Sequence, residues 1–530
     1  MATNMKAWTT LYALLFLFFS SSHVSSESTC DATPYPEFCK TILPHQYVST
    51  HDRCRFFLQQ SLSTTKTISE LVSSYLTNQH TIPYSTVHAL EDCLNHAELN
   101  TDFLSNVLQT IENTVTMTSY QVYDLQTLLS ATLTNQQTCL DGFNEVITPY
   151  PLVTSALTSP LSDGTKLYSI SLALFTLCWV SDATGSSNST TVETILNRKL
   201  LQTSVDDVLV TQKVVVNPDG SGDFTNINDA VSAAPNNTGT NNGYHVIYVV
   251  AGVYNEYVSV PKSKKNLMIV GDGINRTVIT GNRSVVDGWT TFQSATFAVD
   301  GKGFVAVNIT FRNTAGPSQH QAVAVRNGAD MSAFYNCSFE GYQDTLYVYS
   351  LRQFYKSCDI YGTVDFIFGN AAALLQDCNL YPRLPMQNQF NAITAQGRTD
   401  PNQNTGISIH NCNIIASSEL GDASSNDNGI MTYLGRPWKE YSRSVYMQCF
   451  MDGLIDAKGW KEWSGDFALS TLYYAEFANW GSGSNTSDRV TWEGYHIIDE
   501  NEADDFTVHK FIQGDKWLPK TGVPFKAGLH

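Results

Sequence analysis

Two short runs hold the residues best suited to chemistry. Gly341-Tyr342-Gln343-Asp344-Thr345-Leu346-Tyr347 and Gly362-Thr363-Val364-Asp365-Phe366-Ile367-Phe368-Gly369 each set one carboxylate among aromatic and apolar neighbours. Asp344 and Asp365 are 21 residues apart. On adjacent strands, which lie about 4.8 Å apart, two such carboxylates do not both ionise readily, and one is driven to keep its proton. That division gives an acid and a nucleophile in one place. A single buried Asp more often caps a turn or bonds the backbone. Two at one repeat spacing, the first preceded by Gln343, favour chemistry instead.

The element that would position them is a repeat. Asn336-Cys337-Ser338-Phe339, Ser357-Cys358-Asp359-Ile360 and Asp377-Cys378-Asn379-Leu380 follow at intervals of 21 and 20, and Asn411-Cys412-Asn413-Ile414 comes after a longer insertion. A period near 20 signals a solenoid, and short β-rich units indicate a β-helix. Other strands are expected at His245–Val250, Asn266–Val270, Thr296–Val299 and Phe304–Phe311. Cys358 and Cys378, one coil apart, are within disulfide reach, and a bridge between them is expected. Cys412 pairs with another Cys or stays a buried thiol.

Length and charge frame this reading. The chain has 530 residues, too many for one ordinary core, and carries a net charge of −18. Residues 1–201 hold 8 basic and 16 acidic side chains, and residues 202–530 hold 23 and 33. Neither half has the basic footprint of a nucleic-acid binder. For a polyanionic substrate, long-range attraction is unfavourable and local contacts must do the binding. Residues 1–26 read as a secretory signal, with Lys6 ahead of an apolar Leu11–Phe19 and a small-residue Val24-Ser25-Ser26 cleavage site. Eleven Cys and seven Asn-x-Ser/Thr sites (Asn188, Asn236, Asn275, Asn282, Asn308, Asn336, Asn485) suit an exported protein.

Residues 27–180 read as helical. Leu90, Leu94, Ala97, Leu104, Leu108 and Ile111 form one amphipathic stripe, and Val122, Leu125, Leu129, Leu133, Leu140 and Phe143 form another. Cys30 and Cys39 are placed to close an N-terminal hairpin, and Cys93 and Cys139 to staple the two striped helices. Residues 181–201 form a polar linker ending in Arg198-Lys199-Leu200-Leu201, where an exposed dibasic pair suits proteolysis.

These motifs carry a resemblance. Cys30…Cys39, Ala89-Leu90-Glu91-Asp92-Cys93 and Asn135-Gln136-Gln137-Thr138-Cys139-Leu140-Asp141-Gly142-Phe143 resemble the four-helix inhibitor domain of plant pectin methylesterases, although Cys54 and Cys178 fall outside its four-Cys pattern. Residues 211–530 resemble the catalytic domain of the same family through Gly252-Val253-Tyr254-Asn255-Glu256, Gln321–Val325, the two Asp motifs, Ile393–Gly406 and Leu434-Gly435-Arg436-Pro437-Trp438-Lys439. Tyr349 departs from the His often found there.

The resemblance implies an all-α four-helix bundle pro-domain (27–180), a linker (181–201) and an all-β right-handed parallel β-helix catalytic domain (202–530). It implies a secreted hydrolase of methyl esters of pectin homogalacturonan, acting in the plant cell wall without cofactor or metal. No His-x-x-x-His or Cys-x-x-Cys cluster argues for a metal. Asp365 would be the nucleophile, Asp344 the proton donor and base, Gln343 the oxyanion stabiliser, and Arg436 the partner that orients Asp365. Thr291, Gln321, Arg436 and Trp438 would contact substrate. The implied partners are pectin, a processing subtilisin-like protease and proteinaceous pectin methylesterase inhibitors, with no nucleic acid or membrane, and the protein is expected to be a monomer. Whether the helical domain inhibits or assists folding stays open. Two other readings compete: a different β-helix pectin-degrading enzyme, which would shorten the chain, and a non-catalytic inhibitor or wall-binding protein.

Overall fold

The computed structural model describes residues 26–44, 46–47, 49–77, 82–114, 116–145, 151–181, 208–239, 242–424 and 429–530. The expected signal (residues 1–25 of it) and nearly all of the expected linker lie outside them.

The N-terminal portion is helical. A hairpin of α1 (Ser26–Asp31) and α2 (Pro36–Ile42) precedes four long helices, α3 (Thr50–Thr77), α4 (Tyr84–Asn113), α5 (Ser119–Glu145) and α6 (Pro151–Phe175). The stripes face inward as their spacing requires: Leu90, Leu104, Ile111, Val122, Leu129 and Leu133 are all buried. Disulfides join Cys30 to Cys39 and Cys93 to Cys139.

From Val210 onward the described chain winds into a parallel β-helix walled by sheets of 11, 7 and 8 strands. The central coils contribute one strand to each wall, so equivalent residues of consecutive coils stack in register. Asp359 pairs with Asn379, and Phe339 with Ile360. Phe297, Phe311, Phe334, Phe339 and Tyr355 fill the bore as an aromatic ladder, with Phe297 and Phe311 centroids 4.9 Å apart and Phe334 and Tyr355 5.2 Å apart. The repeated Asn/Ser/Asp-Cys text has a physical cause. Asn336, Ser357, Asp377 and Asn411 take left-handed backbone conformations at one corner of the coil, with φ between 52° and 55°, where a short polar residue is best tolerated. The following Cys points into the core.

One expectation is corrected here. Cys358 and Cys378 are thiols, not a disulfide, as are Cys337, Cys412 and Cys449. In-register stacking brings the two side chains side by side but aims them the same way, and proximity without converging Cβ vectors does not make a bridge. Each sulfur instead donates to a carbonyl of the coil before it, Cys358 to Phe334 O and Cys378 to Tyr355 O, both at 3.5 Å.

Candidate active site

The carboxylates sit at another corner of the coil. Leu346 pairs with Ile367 and Tyr347 with Phe368, which sets Asp344 and Asp365, two residues earlier, at equivalent places on consecutive coils. Both are left-handed, with φ of 65° and 54°. The glycines that open the two motifs make this corner tight: a Cβ on Gly362 would lie 2.2 Å from Phe366 Cβ. The pair is buried, with Asp344 6% and Asp365 5% exposed.

Their surroundings differ. Arg436 donates to Asp365 with both prongs, Nε to Oδ1 at 2.8 Å and Nη2 to Oδ2 at 2.7 Å. Burial alone would lower the Arg436 pKa, but Asp365 more than offsets it and raises it. Burial pushes the Asp344 carboxyl well above the usual range, and the charges of Asp365 and then Glu145 push it further. One acid is thus driven to hold its proton, while the other presents two oxygens to a guanidinium, the geometry of a carboxylate anion.

Gln343, Gln321, Thr291, Arg436 and Trp438 line the same cavity of about 190 Å³, together with both Asp residues. Trp438 lies over bare backbone at Gly397, where a Cβ would come within 2.8 Å of the ring. It meets Phe368 edge-on at 5.8 Å. Arg436 is further held over the Trp463 ring at 4.2 Å, a contact its sequence position did not signal. Among the described residues no group of three His, Cys, Asp or Glu could hold a metal ion.

The cavity has a second wall that the motifs did not reveal. α4 and α5 lie across it. Thr290 Oγ1 donates to Asp92 Oδ2 at 2.6 Å, and Gln293 Nε2 donates to Asp92 Oδ1 at 2.8 Å. The Thr291 backbone N–H and hydroxyl donate to Glu145 at 3.2 and 3.0 Å. Lys439 Nζ meets Asp141 Oδ1 at 2.8 Å. Further along, Tyr349 OH donates to Asn135 Oδ1 at 2.7 Å, and Arg352 reaches Asp124 at 2.5 Å. Tyr349, the departure from the family pattern, therefore belongs to the contact between the two portions. Burial raises the Asp92 carboxyl to about 7, though its Thr290 and Gln293 bonds work against the shift. Burial likewise raises Glu145. The sequence did hold one signal of this wall. Asp141 and Glu145 sit at the C-terminal end of α5, whose last turn has no basic residue, where the helix dipole disfavours acids.

A family model described as Pectinesterase matches residues 213–515, and one described as Plant invertase/pectin methylesterase inhibitor matches residues 25–174. Probable pectinesterase/pectinesterase inhibitor 41 of Arabidopsis thaliana is 52% identical over 545 residues, covering 95% of each chain. Pectinesterase 2 of Citrus sinensis is 45% identical over 528 residues, covering 98% of each. Among solved structures, the pectin methylesterase from carrot matches with 55% identity and a TM-score of 0.58, over 60% of this chain and 98% of its own.

Proposed function

The chain belongs to the pectinesterase family, with an inhibitor-type helical portion ahead of its solenoid, and from that premise we propose how its residues divide the work. The protein hydrolyses methyl esters of pectin in the plant cell wall, giving pectate and methanol. Asp365 attacks the ester carbonyl, and the oxyanion that forms takes hydrogen bonds from the side-chain amide of Gln343, supported by Gln321. Asp344 gives its proton to the departing methoxy oxygen, so methanol leaves and a mixed anhydride joins Asp365 to the sugar acid. Asp344, now a carboxylate, takes a proton from water as that water attacks the anhydride. The galacturonate leaves, Asp365 is freed and Asp344 is reprotonated. Trp438 offers a flat face to a sugar ring, and Thr291 contacts the chain beside it.

The observation that carries this reading is the asymmetry of the pair: two carboxylates at equivalent corners of consecutive coils, of which Arg436 binds one at both oxygens. The test is methanol release from methylated pectin by the solenoid portion, compared with Asp365→Asn and Asp344→Asn. Equal rates for wild type and Asp365→Asn would remove Asp365 from the mechanism. Shortened chains in the product would favour the chain-cleaving alternative.

For the helical portion, occlusion is favoured over a folding aid alone, because Asp141 and Glu145 occupy the cleft that substrate needs. Release would follow cleavage at Arg198-Lys199-Leu200-Leu201 by a subtilisin-like protease after export, leaving 202–530 as a monomeric wall enzyme open to proteinaceous inhibitors. An uncleaved chain as active as the cleaved one would end the occlusion reading.

A further inference from the structure

Asp141 and Glu145 are one turn apart on α5, so their side chains leave one face of the helix with Cβ atoms about 6 Å from each other. Both enter the cleft, and both meet groups of the solenoid. Glu145 takes the Thr291 donors. Asp141 takes Lys439, and its second oxygen, Oδ2, is buried without a hydrogen-bond partner. Lys439 shares Oδ1 with Gln137 Nε2, which donates to it at 2.9 Å from within α5, and is, among the described residues, the one cation paired with that carboxylate.

Three arginines of this face have acids of their own within the solenoid. Arg436 belongs to Asp365, Arg326 to Asp300, and Arg352 to Asp330 as well as to Asp124. The carboxylate partner of Lys439 comes from the helical portion. Its ammonium also lies 5.0 Å from the centroid of the Trp438 ring, over its face, and Trp438 lines the cavity with both catalytic Asp residues. Lys439 therefore stands at the edge of the surface on which a sugar would stack. When the helical portion leaves, the Lys loses its acid.

We propose that Lys439 is a specificity residue that binds the free carboxylate of a galacturonate unit next to the ester being cut, and that Asp141 fills this place in the uncleaved chain. The proposal rests on the reading of the cleft as a pectin methylesterase site. Each unit of the substrate carries either a neutral methyl ester or a carboxylate at the same carbon. An ammonium pairs strongly with the second and weakly with the first. The reaction turns esters into carboxylates, so the product of one turnover is the ligand that Lys439 seeks in the next. Esters beside free units are then bound best, and de-esterification runs along the chain in blocks. The acidity of residues 202–530, 33 acidic against 23 basic side chains, makes the contact necessary, since the overall field repels a polyanion.

The test starts from the full chain with a protease site built into 182–207, cut after folding so that the solenoid portion can be isolated. The carrot structure, covered over 98% of its length by 60% of this chain, supports that portion as a folded unit. Methanol release is measured on oligogalacturonates of one length, fully methylated or half de-esterified. The wild type should show higher kcat/KM on the half de-esterified oligomer, mostly through KM. Lys439→Gln should lower that ratio several-fold, up to about tenfold, and Lys439→Arg should restore it. Fully de-esterified oligomer should inhibit the wild type competitively, and Lys439→Gln correspondingly less. A wild type without the preference, or a Lys439→Gln variant that keeps the ratio and the inhibition, overturns the proposal and leaves the esterase reading intact. Absence of methanol from every substrate overturns both.

Discussion

Arg436 binds both oxygens of Asp365, at 2.8 and 2.7 Å, and exerts only the weakest of the named influences on Asp344 one coil away. This one-sidedness separates two chemically identical side chains into different tasks. It also makes Lys a poor replacement, because an ammonium offers one point of charge where the guanidinium offers a fork. In the isolated solenoid portion, Arg436→Lys should lower kcat by about 10- to 100-fold, and Arg436→Met by more, at similar KM. Arg436→Met within twofold of wild type would show that the fork does not orient the nucleophile.

The contribution of Asp92 to the contact between the two portions should weaken as pH rises. Asp92 is held by Thr290 and Gln293 of the solenoid, with Arg326 lowering and Glu145 raising its pKa, and burial lifts it from 3.8 to about 7. His96 on the same helix, packed on Phe292 and Tyr349 of the solenoid, is lowered from 6.5 to about 3 by burial, so its own contribution runs the other way, favouring docking as pH rises to 6.5. Docked Asp92 binds its proton more tightly than undocked Asp92. The Asp92 contribution is therefore strongest below pH 4, where both states are protonated. It loses up to about 1.4 kcal/mol per unit until about pH 7, where both are ionised. Co-elution of the two portions of a linker-cut chain, followed between pH 4.5 and 7.5, should show Asp92→Asn holding together increasingly better than the wild type towards neutrality. An Asp92→Asn variant whose association follows the wild type in parallel across this range would overturn the assignment.

The pairing of Asp344 with Asp365 was legible in the sequence because it is a relation within one repeat: a 21-residue interval fixes the register that Leu346 and Ile367 display. The amphipathic stripes of α4 and α5 were legible for the same local reason. The direction of a side chain is not fixed by an interval, and so the Cys358–Cys378 bridge was misjudged. Nor does any interval join Asp141 to Lys439 or Glu145 to Thr291, which are brought together only by the docking of two separately folded portions. What the sequence held there was a local misfit, two acids where the helix dipole opposes them.

The thiol ladder makes its own prediction. Cys337, Cys358, Cys378, Cys412 and Cys449 are fully buried, with sulfurs bonded to carbonyls of neighbouring coils. They should resist alkylation in the native protein. All five should be labelled once the chain is unfolded without reductant, while Cys30, Cys39, Cys93 and Cys139 stay protected. Peptide mapping that finds Cys358 joined to Cys378 would contradict the stacking argument. Because these thiols pack as small apolar groups, Cys378→Ala should cost only about 1 kcal/mol of stability by chemical denaturation.

Occlusion by the helical portion can be tested through its two intruding acids. Asp141 and Glu145 oppose the dipole of α5, which disfavours an acid in its last turn by about 0.3–1 kcal/mol, and Lys439 and Thr291 must offset that cost when the portions dock. Removing the charges should therefore stabilise the helix slightly while loosening its grip on the cleft. Each contact is a charge-assisted bond of about 1.5–3 kcal/mol. Asp141→Asn with Glu145→Gln in the uncleaved chain should thus raise methanol release on the order of 100-fold over the uncleaved wild type, without reaching the rate of the isolated solenoid. Asp102→Asn serves as the control, since its bond to Lys262 is exposed on both sides and such pairs contribute less than about 1 kcal/mol. A double variant as silent as the wild type, made from a chain whose isolated solenoid is active, would mean that these two acids do not close the cleft.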